Sequence, residues 1–326
     1  VARVKNARKS GKNVILKDKR IVVTGGHGFL GKVVCRKLKS TEAIVIPLSR
    51  SSEGYDFTNL KDVKDMYNLV KPDIVIHLAA EVGGIGANQR NPGRFFFANL
   101  QMGMHLIEEG RKHGLDKFVQ IGTVCSYPKE TPVPFDEYDL WNGYPERTNA
   151  PYGIAKKALL TMLQSYREQY NFNGIYLIPS NLYGPGDNFD LETCHVIPAL
   201  IKKMVYAKEF NHAVVDVWGN GSATREFLYV DDCANAIVKA TKSFDGYGGF
   251  PINIGTGKEI NITNVVKKIK ELVGYKGDII WDTIKPNGQM RRCLNVEKAE
   301  DYFRFKAQTD LDTGLKYTVD WYEKHR

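Results

Sequence analysis

Five side chains have types and spacings that could move protons around a carbonyl. Thr123 and Cys125 lie in TVCSYP, Tyr152 and Lys156 in PYGIAKKA, and His195 just ahead of PALI. Tyr152 and Lys156 are four residues apart, so on a helix they share a face. A lysine ammonium beside a phenol favours phenolate, which predicts a Tyr152 pKa below the usual value of about 10. Such a tyrosine gives or takes a proton at a carbonyl or alcohol while a nicotinamide moves hydride. Thr123 would hydrogen-bond the same substrate oxygen, or merely satisfy backbone at a strand end. A thiol and an imidazole titrate near about 8.5 and about 6.5, so both can exchange protons near neutral pH. By position alone, Cys125 reads as a small buried hydrophobe after a strand. His195 reads as a helix cap or a solvated loop residue. Thr123 and Cys125 stand two apart at a strand end, and that parity lets both face one pocket.

A second constellation is IVVTGGHGFLG, residues 21–31, with Gly25, Gly28 and Gly31 spaced GxxGxxG between a first strand and a first helix. Glycines there permit a tight turn and close approach of backbone N–H groups to a pyrophosphate, with the helix dipole in support. The second strand ends in PLSR, and the first acid after it is Glu53. Arg50 is therefore expected to meet a 2′-phosphate, which favours NADP(H) over NAD. The alternative is a solvated surface arginine. His27 and His77 are expected to pack near the cofactor, and Cys35 and Cys233 to be structural.

The elements that must position these groups alternate. RIVVTGG, AIVIPLS, DIVIHLAA, KFVQIG and GIYLIPS read as strands; FLGKVVCRKLKS, 59–70, 95–113 and YGIAKKALLTMLQSYREQYN read as helices. That order predicts an α/β fold, a Rossmann-type doubly wound parallel sheet with helices on both faces. Beyond about residue 180 turn formers dominate, as in NLYGPGDNFDLETCH. PALIKKMV, 233–243 and a segment near 312–325 look helical, and FPINIG looks like a strand returning to the sheet. The expected organisation is a basic extension over 1–18, an NADP-binding domain over 19–180, and a smaller C-terminal substrate-binding lobe over 181–326. A segment near 231–256 returns to the first domain.

Net charge is +9, but residues 1–20 alone carry eight basic residues and one acid. The remainder is nearly balanced, and no aromatic residue interleaves the basic run. Nucleic acid is thus not an expected partner. The five cysteines, at 35, 125, 194, 233 and 293, form no CxxC pair. No disulfide framework or metal site is expected, and a reducing cytoplasm fits. No apolar run reaches the length of a membrane span, and none at the start reads as a targeting segment.

Together the stretches HLAAEVGGIGANQRNP, CSYP, PYGIAK, NLYGPGDNF, HVIPALI, VWGNGSATREFLYVDD, NIGTG and KPNGQMRRCL are far more specific than the glycine loop. The chain from about residue 20 onward resembles the extended short-chain dehydrogenase/reductase superfamily. Within it the likeness is to the GDP-L-fucose synthase family, epimerase-reductases acting on GDP-4-keto-6-deoxy-D-mannose. The resemblance implies NADP(H), a GDP-sugar substrate and a homodimer joined through two long helices per subunit. It puts the family's hydroxyl, tyrosine and lysine on Thr123, Tyr152 and Lys156, and its epimerisation cysteine and histidine on Cys125 and His195. Lys203, Trp218 and Arg225 fall on positions that touch the substrate nucleotide. This chain departs in reading Thr-Val-Cys-Ser where the family commonly reads Ser-Ser-Cys-Ile. It also has Cys194 where a serine is usual and Lys203 where many members carry arginine. Cys194 leaves open which thiol acts.

The implied chemistry needs such a pair. A ketone at C4 acidifies the protons on C3 and C5, and inversion requires a base and an acid on opposite faces of the ring. Cys125 is expected to be the base and His195 the acid, with the reverse order as the alternative. Another NDP-sugar epimerase or reductase, such as a 4-epimerase or a GDP-deoxyheptose enzyme, is the competing reading. A sugar 4,6-dehydratase fits less well, because Val124-Cys125 stand where an Asp-Glu pair is usual. A catalytically silent NADP-binding scaffold is the third.

Overall fold

Residues 21–23 are β-branched, as a central strand requires, and all three are fully buried in the computed structural model. The structure describes residues 14–246, 249–285 and 287–326. The first half runs β1 (Arg20–Thr24), α1 (Phe29–Lys39), β2 (Ile44–Leu48), α2 (Leu60–Val70), β3 (Ile74–His77), α3 (Ile85–Arg90), α4 (Pro92–Lys112), β4 (Lys117–Ile121), α5 (Ala150–Tyr170) and β5 (Gly174–Pro179). It continues with β6 (Asn181–Tyr183), α6 (Val196–Glu209), β7 (Val214–Trp218), β8 (Thr224–Tyr229), α7 (Val230–Ser243), β9 (Pro251–Ile254), β10 (Glu259–Asn261), α8 (Ile262–Val273), β11 (Asp278–Asp282), α9 (Glu297–Phe303) and α10 (Leu311–His325).

The main sheet has the order β2-β1-β3-β4-β5-β9, and every pairing in it is parallel. Alternation along β1 sends Ile21 and Val23 to one face and Val22 to the other. The first pair packs with Val34 and Leu38 of α1, Ile237 of α7 and Phe303 of α9. Val22 packs with Met66 of α2, Leu106 of α4 and Leu159 of α5. Chain order reverses between β1 and β3, which opens a crevice at the carboxyl ends of those strands.

A third core lies outside the sheet. Ile201 and Met204 of α6, Val215 of β7, Phe227 of β8, Ile269 of α8 and Leu315 of α10 pack there. Two small sheets frame it, β10-β8-β6 and β11-β7. Strand β6 lies in the turn-rich stretch NLYGPGDNF, where the sequence predicts loop. It forms because its three residues pair in parallel with Phe227–Tyr229 of β8. Glu226 couples this lobe to the sheet. Its buried carboxylate accepts the backbone N–H of Thr256 and Gly257, just after β9, and of Leu294 at 2.7 Å.

The expectation of a basic extension over 1–18 needs correction at its inner end. Val14 N–H donates to the Lys242 carbonyl at 2.7 Å, and Leu16 is buried in the α1/α7 core. Residues 14–18 thus belong to the folded body; residues 1–13 lie outside the described residues.

Candidate active site

The crevice begins at the glycine loop. Gly25 has φ +68°, and a Cβ on Gly31 would overlap the Gly25 carbonyl, so helix and loop meet closer than any side chain permits. Gly28 is the N-cap of α1 and makes no side-chain cap. The first turn's N–H groups are therefore open to an anion at the positive end of the helix. A pyrophosphate suits this cradle. Glu53, the acid nearest the end of β2, is already engaged: Oε1 lies 2.8 Å from His27 Nε2, and Oε2 accepts Ser49 N–H at 2.7 Å. Arg50 stands beyond the cavity lining, 71% exposed, with Nε 3.4 Å from Asp56. A loosely held guanidinium is free to turn to a phosphate, whereas Glu53 is not free to take a ribose hydroxyl. His77 is fully buried, with Nδ1 2.8 Å from Thr24 Oγ1, and ties β3 to β1. Burial and then Lys156 push its pKa well below the usual value.

Strand β4 ends at Ile121, and Cys125 lies on a 3₁₀ turn over Val124–Ser126. Strand parity is thus not what aims Thr123 and Cys125. Thr123 caps the turn, its Oγ1 accepting the Cys125 N–H at 3.2 Å. The turn is then pressed onto α5. Ser126 Oγ donates to the Gly153 carbonyl at 2.9 Å, and any Cβ on Gly153 would strike the Cys125 carbonyl. That contact places Tyr152, next along the helix, beside the thiol turn.

Lys156 is buried, with Nζ 6.0 Å from the centre of the Tyr152 ring. Burial pulls its pKa down to about 8. The expectation of a lowered Tyr152 pKa is not met: burial, and then Cys125, push it above the usual value. Desolvation of the phenol decides the direction.

The facing wall comes from the lobe. His195 is the N-cap of α6, but its side chain does not cap, so the ring remains available to the cavity. Its surface opens to the cavity, yet enough protein surrounds it for burial to lower its pKa. Cys194 lines the same cavity, and burial pushes its thiol up to about 11. Lys203 Nζ bonds Asp216 twice, to Oδ2 at 2.8 Å and to the backbone carbonyl at 2.9 Å. Trp218 is 48% exposed, so it is no core aromatic, and Lys285 Nζ stands 5.2 Å from its ring centre. Arg225 donates to the carbonyls of Thr224 at 2.7 Å and Asn287 at 2.9 Å, and burial foremost lowers its pKa to about 10.

One cavity of about 750 Å³ joins the two walls. Gly25, Gly28, Gly31, Thr123, Cys125, Tyr152, Lys156, His195, Lys203, Trp218 and Arg225 all line it, and Arg50 does not. Sequence reasoning assigned no role to three other lining groups, Asp187, Asp216 and Arg292, or to Lys285, which stands against Trp218 outside the lining. Asp187 hides among turn formers, yet burial raises its carboxyl to about 7 and Oδ2 is buried without a partner. Lys285 and Arg292 fall in KPNGQMRRCL, which carried the resemblance but no assigned chemistry.

Residues 21–255 match the model of the NAD dependent epimerase/dehydratase family. A putative GDP-L-fucose synthase 2 of Arabidopsis thaliana is 40% identical over 315 residues, covering 96% of this chain and 94% of that protein. Among solved structures, a GDP-6-OMe-4-keto-L-xylo-heptose reductase of C. jejuni superposes with a TM-score of 0.90 at 26% identity, covering 96% of this chain and all of that one. A GDP-L-fucose synthetase of Naegleria fowleri bound to NADP superposes with a TM-score of 0.87 at 27% identity, over 97% of each chain. The chain belongs to the NAD dependent epimerase/dehydratase family, on the branch of the GDP-L-fucose synthases.

Proposed function

We propose that this chain is an NADPH-dependent 3,5-epimerase and 4-reductase that converts GDP-4-keto-6-deoxy-D-mannose to GDP-L-fucose. One observation carries the reading. The Thr123, Tyr152 and Lys156 set opens into the same cavity as Cys125 and His195, and that cavity reaches the glycine cradle. A reductase alone needs only the first set.

Gly25, Gly28 and Gly31 would hold the cofactor pyrophosphate, Arg50 its 2′-phosphate, and Tyr152 and Lys156 its nicotinamide end. NADPH supplies the hydride that reduces C4. Lys203, Trp218 and Arg225 take the GDP moiety: two cations for the diphosphate and an exposed ring for the base. At C3 and again at C5, Cys125 Sγ removes one proton and His195 returns one to the opposite face, and exchange with solvent resets the thiolate and the imidazolium between the two inversions. The two come from different walls, as inversion demands. Thr123 Oγ and Tyr152 Oη hydrogen-bond O4 while it carries enolate charge. Tyr152 then gives its proton to the C4 alkoxide, a step its raised pKa suits.

The homodimer belongs to the same proposal. Helices α4 and α5 have 21 residues each and pack together, and α4 exposes Phe96, Phe97 and Met104. Five unpaired cysteines favour a reducing compartment, the cytoplasm. No helix among the described residues is long and apolar enough to cross a membrane.

A second reading rests on the C. jejuni likeness: reduction of a GDP-4-keto-heptose. Incubation with GDP-4-keto-6-deoxy-D-mannose and NADPH, followed by absorbance and product identification, decides. GDP-L-fucose is expected. A product reduced at C4 but unchanged at C3 and C5, or no product, overturns the assignment, and a heptose substrate then takes its place.

A further inference from the structure

The cavity holds a cation that the reaction as described does not use. Arg292 is only 7% exposed, and its Nη1 lies 3.6 Å from Cys125 Sγ. The contact is built from behind. Arg292 Nε donates to Gln289 Oε1 at 2.8 Å, and Gln289 Nε2 donates to the Lys129 carbonyl at 2.7 Å. Lys129 lies just beyond the turn that carries Cys125. Cys125, Lys129, Gln289 and Arg292 therefore close a ring, in which the guanidinium is hung from the same segment as the sulfur it touches. The backbone around Arg292 is also anchored: the Cys293 carbonyl accepts Phe135 N–H at 2.7 Å, and Leu294 N–H donates to Glu226.

This arrangement has an electrostatic cost. Arg225 and Arg292 are both largely buried and stand close enough to repel, and Arg292 adds to burial in lowering the pKa of Arg225. Among the influences on Arg225, Cys125 acts in the opposite sense. Two buried guanidinium groups drawn together are relieved by an anion between them. Besides Cys125, the titratable groups lining the cavity are Tyr152 and Lys156 from α5, Arg90 from α3, His195 at the N-cap of α6 with Asp187, Glu192 and Cys194 before it, Lys203 from α6, Asp216 from β7, Arg225 from β8, and Arg292.

We propose that Arg292, braced by Gln289, is the positioning residue that holds the Cys125 sulfur toward the substrate and supplies the positive partner of its thiolate form. The inference deepens the proposed epimerase half and rests on it only for the role of Cys125. The contact itself can be tested without substrate.

The test reads alkylation of Cys125 in the substrate-free protein. Iodoacetamide is the probe, and peptide mass spectrometry separates Cys125 from the other four cysteines. At pH 7.5, Arg292→Met should slow alkylation of Cys125 by about tenfold, because the sulfur loses the buried cation that lies 3.6 Å from it. Arg292→Lys keeps the charge and should recover most of the rate. Gln289→Leu should give an intermediate loss. Retained NADPH binding and an unchanged alkylation rate at Cys194 mark a folded variant. With substrate, deuterium entry at C3 and C5 should fall in parallel with alkylation. An unchanged Cys125 alkylation rate in folded Arg292→Met overturns the proposal. A raised KM for the GDP-sugar in that variant would then make Arg292 a diphosphate contact. If alkylation slows as expected but no GDP-4-keto sugar is turned over, the thiol pairing stands and the proposed reaction fails.

Discussion

The two walls of the cavity are built differently. On the sheet side, Thr123 is locked by its own turn, Gly153 presses α5 onto that turn, and Lys156 is buried. On the lobe side, Lys203 already holds Asp216, Lys285 stands over Trp218, and Arg225 holds two carbonyls. The sheet side is set before any ligand arrives, whereas the lobe side must exchange internal partners for ligand ones. On the proposed roles, the groups that reduce C4 all stand on the sheet wall, whereas epimerisation would depend on register between walls, because Cys125 and His195 sit on opposite ones. Positioning of this kind is worth most where nothing has to move during reaction.

The largest effect should come from the rigid wall. Tyr152→Phe should slow NADPH oxidation by about 10²- to 10⁴-fold, the range for a positioned proton donor, while solvent deuterium still enters C3 and C5. Equal losses in both assays would mean the walls do not act separately. Cys125→Ser should reverse the pattern: exchange falls by about 10²-fold, and a 4-keto sugar supplied already epimerised is still reduced. Continued exchange at the wild-type rate would remove Cys125 from the chemistry and turn attention to Cys194. A smaller, pH-dependent effect belongs to Lys156. Its ammonium persists below about pH 8 and is lost above it. NADPH affinity without substrate should then fall by about tenfold between pH 7 and pH 9, the loss expected for one charged hydrogen bond. Lys156→Met should flatten that dependence in a fluorescence titration. The smallest effect lies on the adaptable wall. Asp216→Asn frees Lys203 from an exposed ion pair and should lower KM for the GDP-sugar by roughly two- to fivefold, with kcat unchanged. A higher KM would mean that Asp216 orients Lys203 for the substrate instead of competing with it.

The same contrast explains what could be read from the sequence. The rigid wall is local. The glycine loop follows β1, TVC follows β4 and YxxxK lies in the first turns of α5, each within a few residues, although position alone made Cys125 a buried hydrophobe and the resemblance supplied its role. The adaptable wall is assembled across long separations: Arg292 meets Cys125 from 167 residues away. Arg291 and Arg292 are adjacent in sequence, yet one is exposed and the other buried. Asp187 and strand β6 are hidden by turn formers whose pairing partner, β8, comes more than forty residues later. The Tyr152 expectation failed for a related reason. Helical spacing reveals a neighbouring ammonium but not the depth at which both groups are held, and depth decided the sign. Parity failed because β4 stops two residues before Thr123, a boundary that hydropathy does not mark.

The late strand β9 has a consequence for how the molecule is made. A ribosome delivers the chain from the amino end, yet the main sheet receives its last strand only when residues 251–254 have emerged. Until then β5 presents an unpaired edge, while α6, β7 and β8 of the lobe are already outside the tunnel. A nascent chain truncated after the first 180 residues would therefore carry every residue of the reductive set and still lack a finished sheet to hold them. Synthesis, like epimerisation, waits on the second half of the chain.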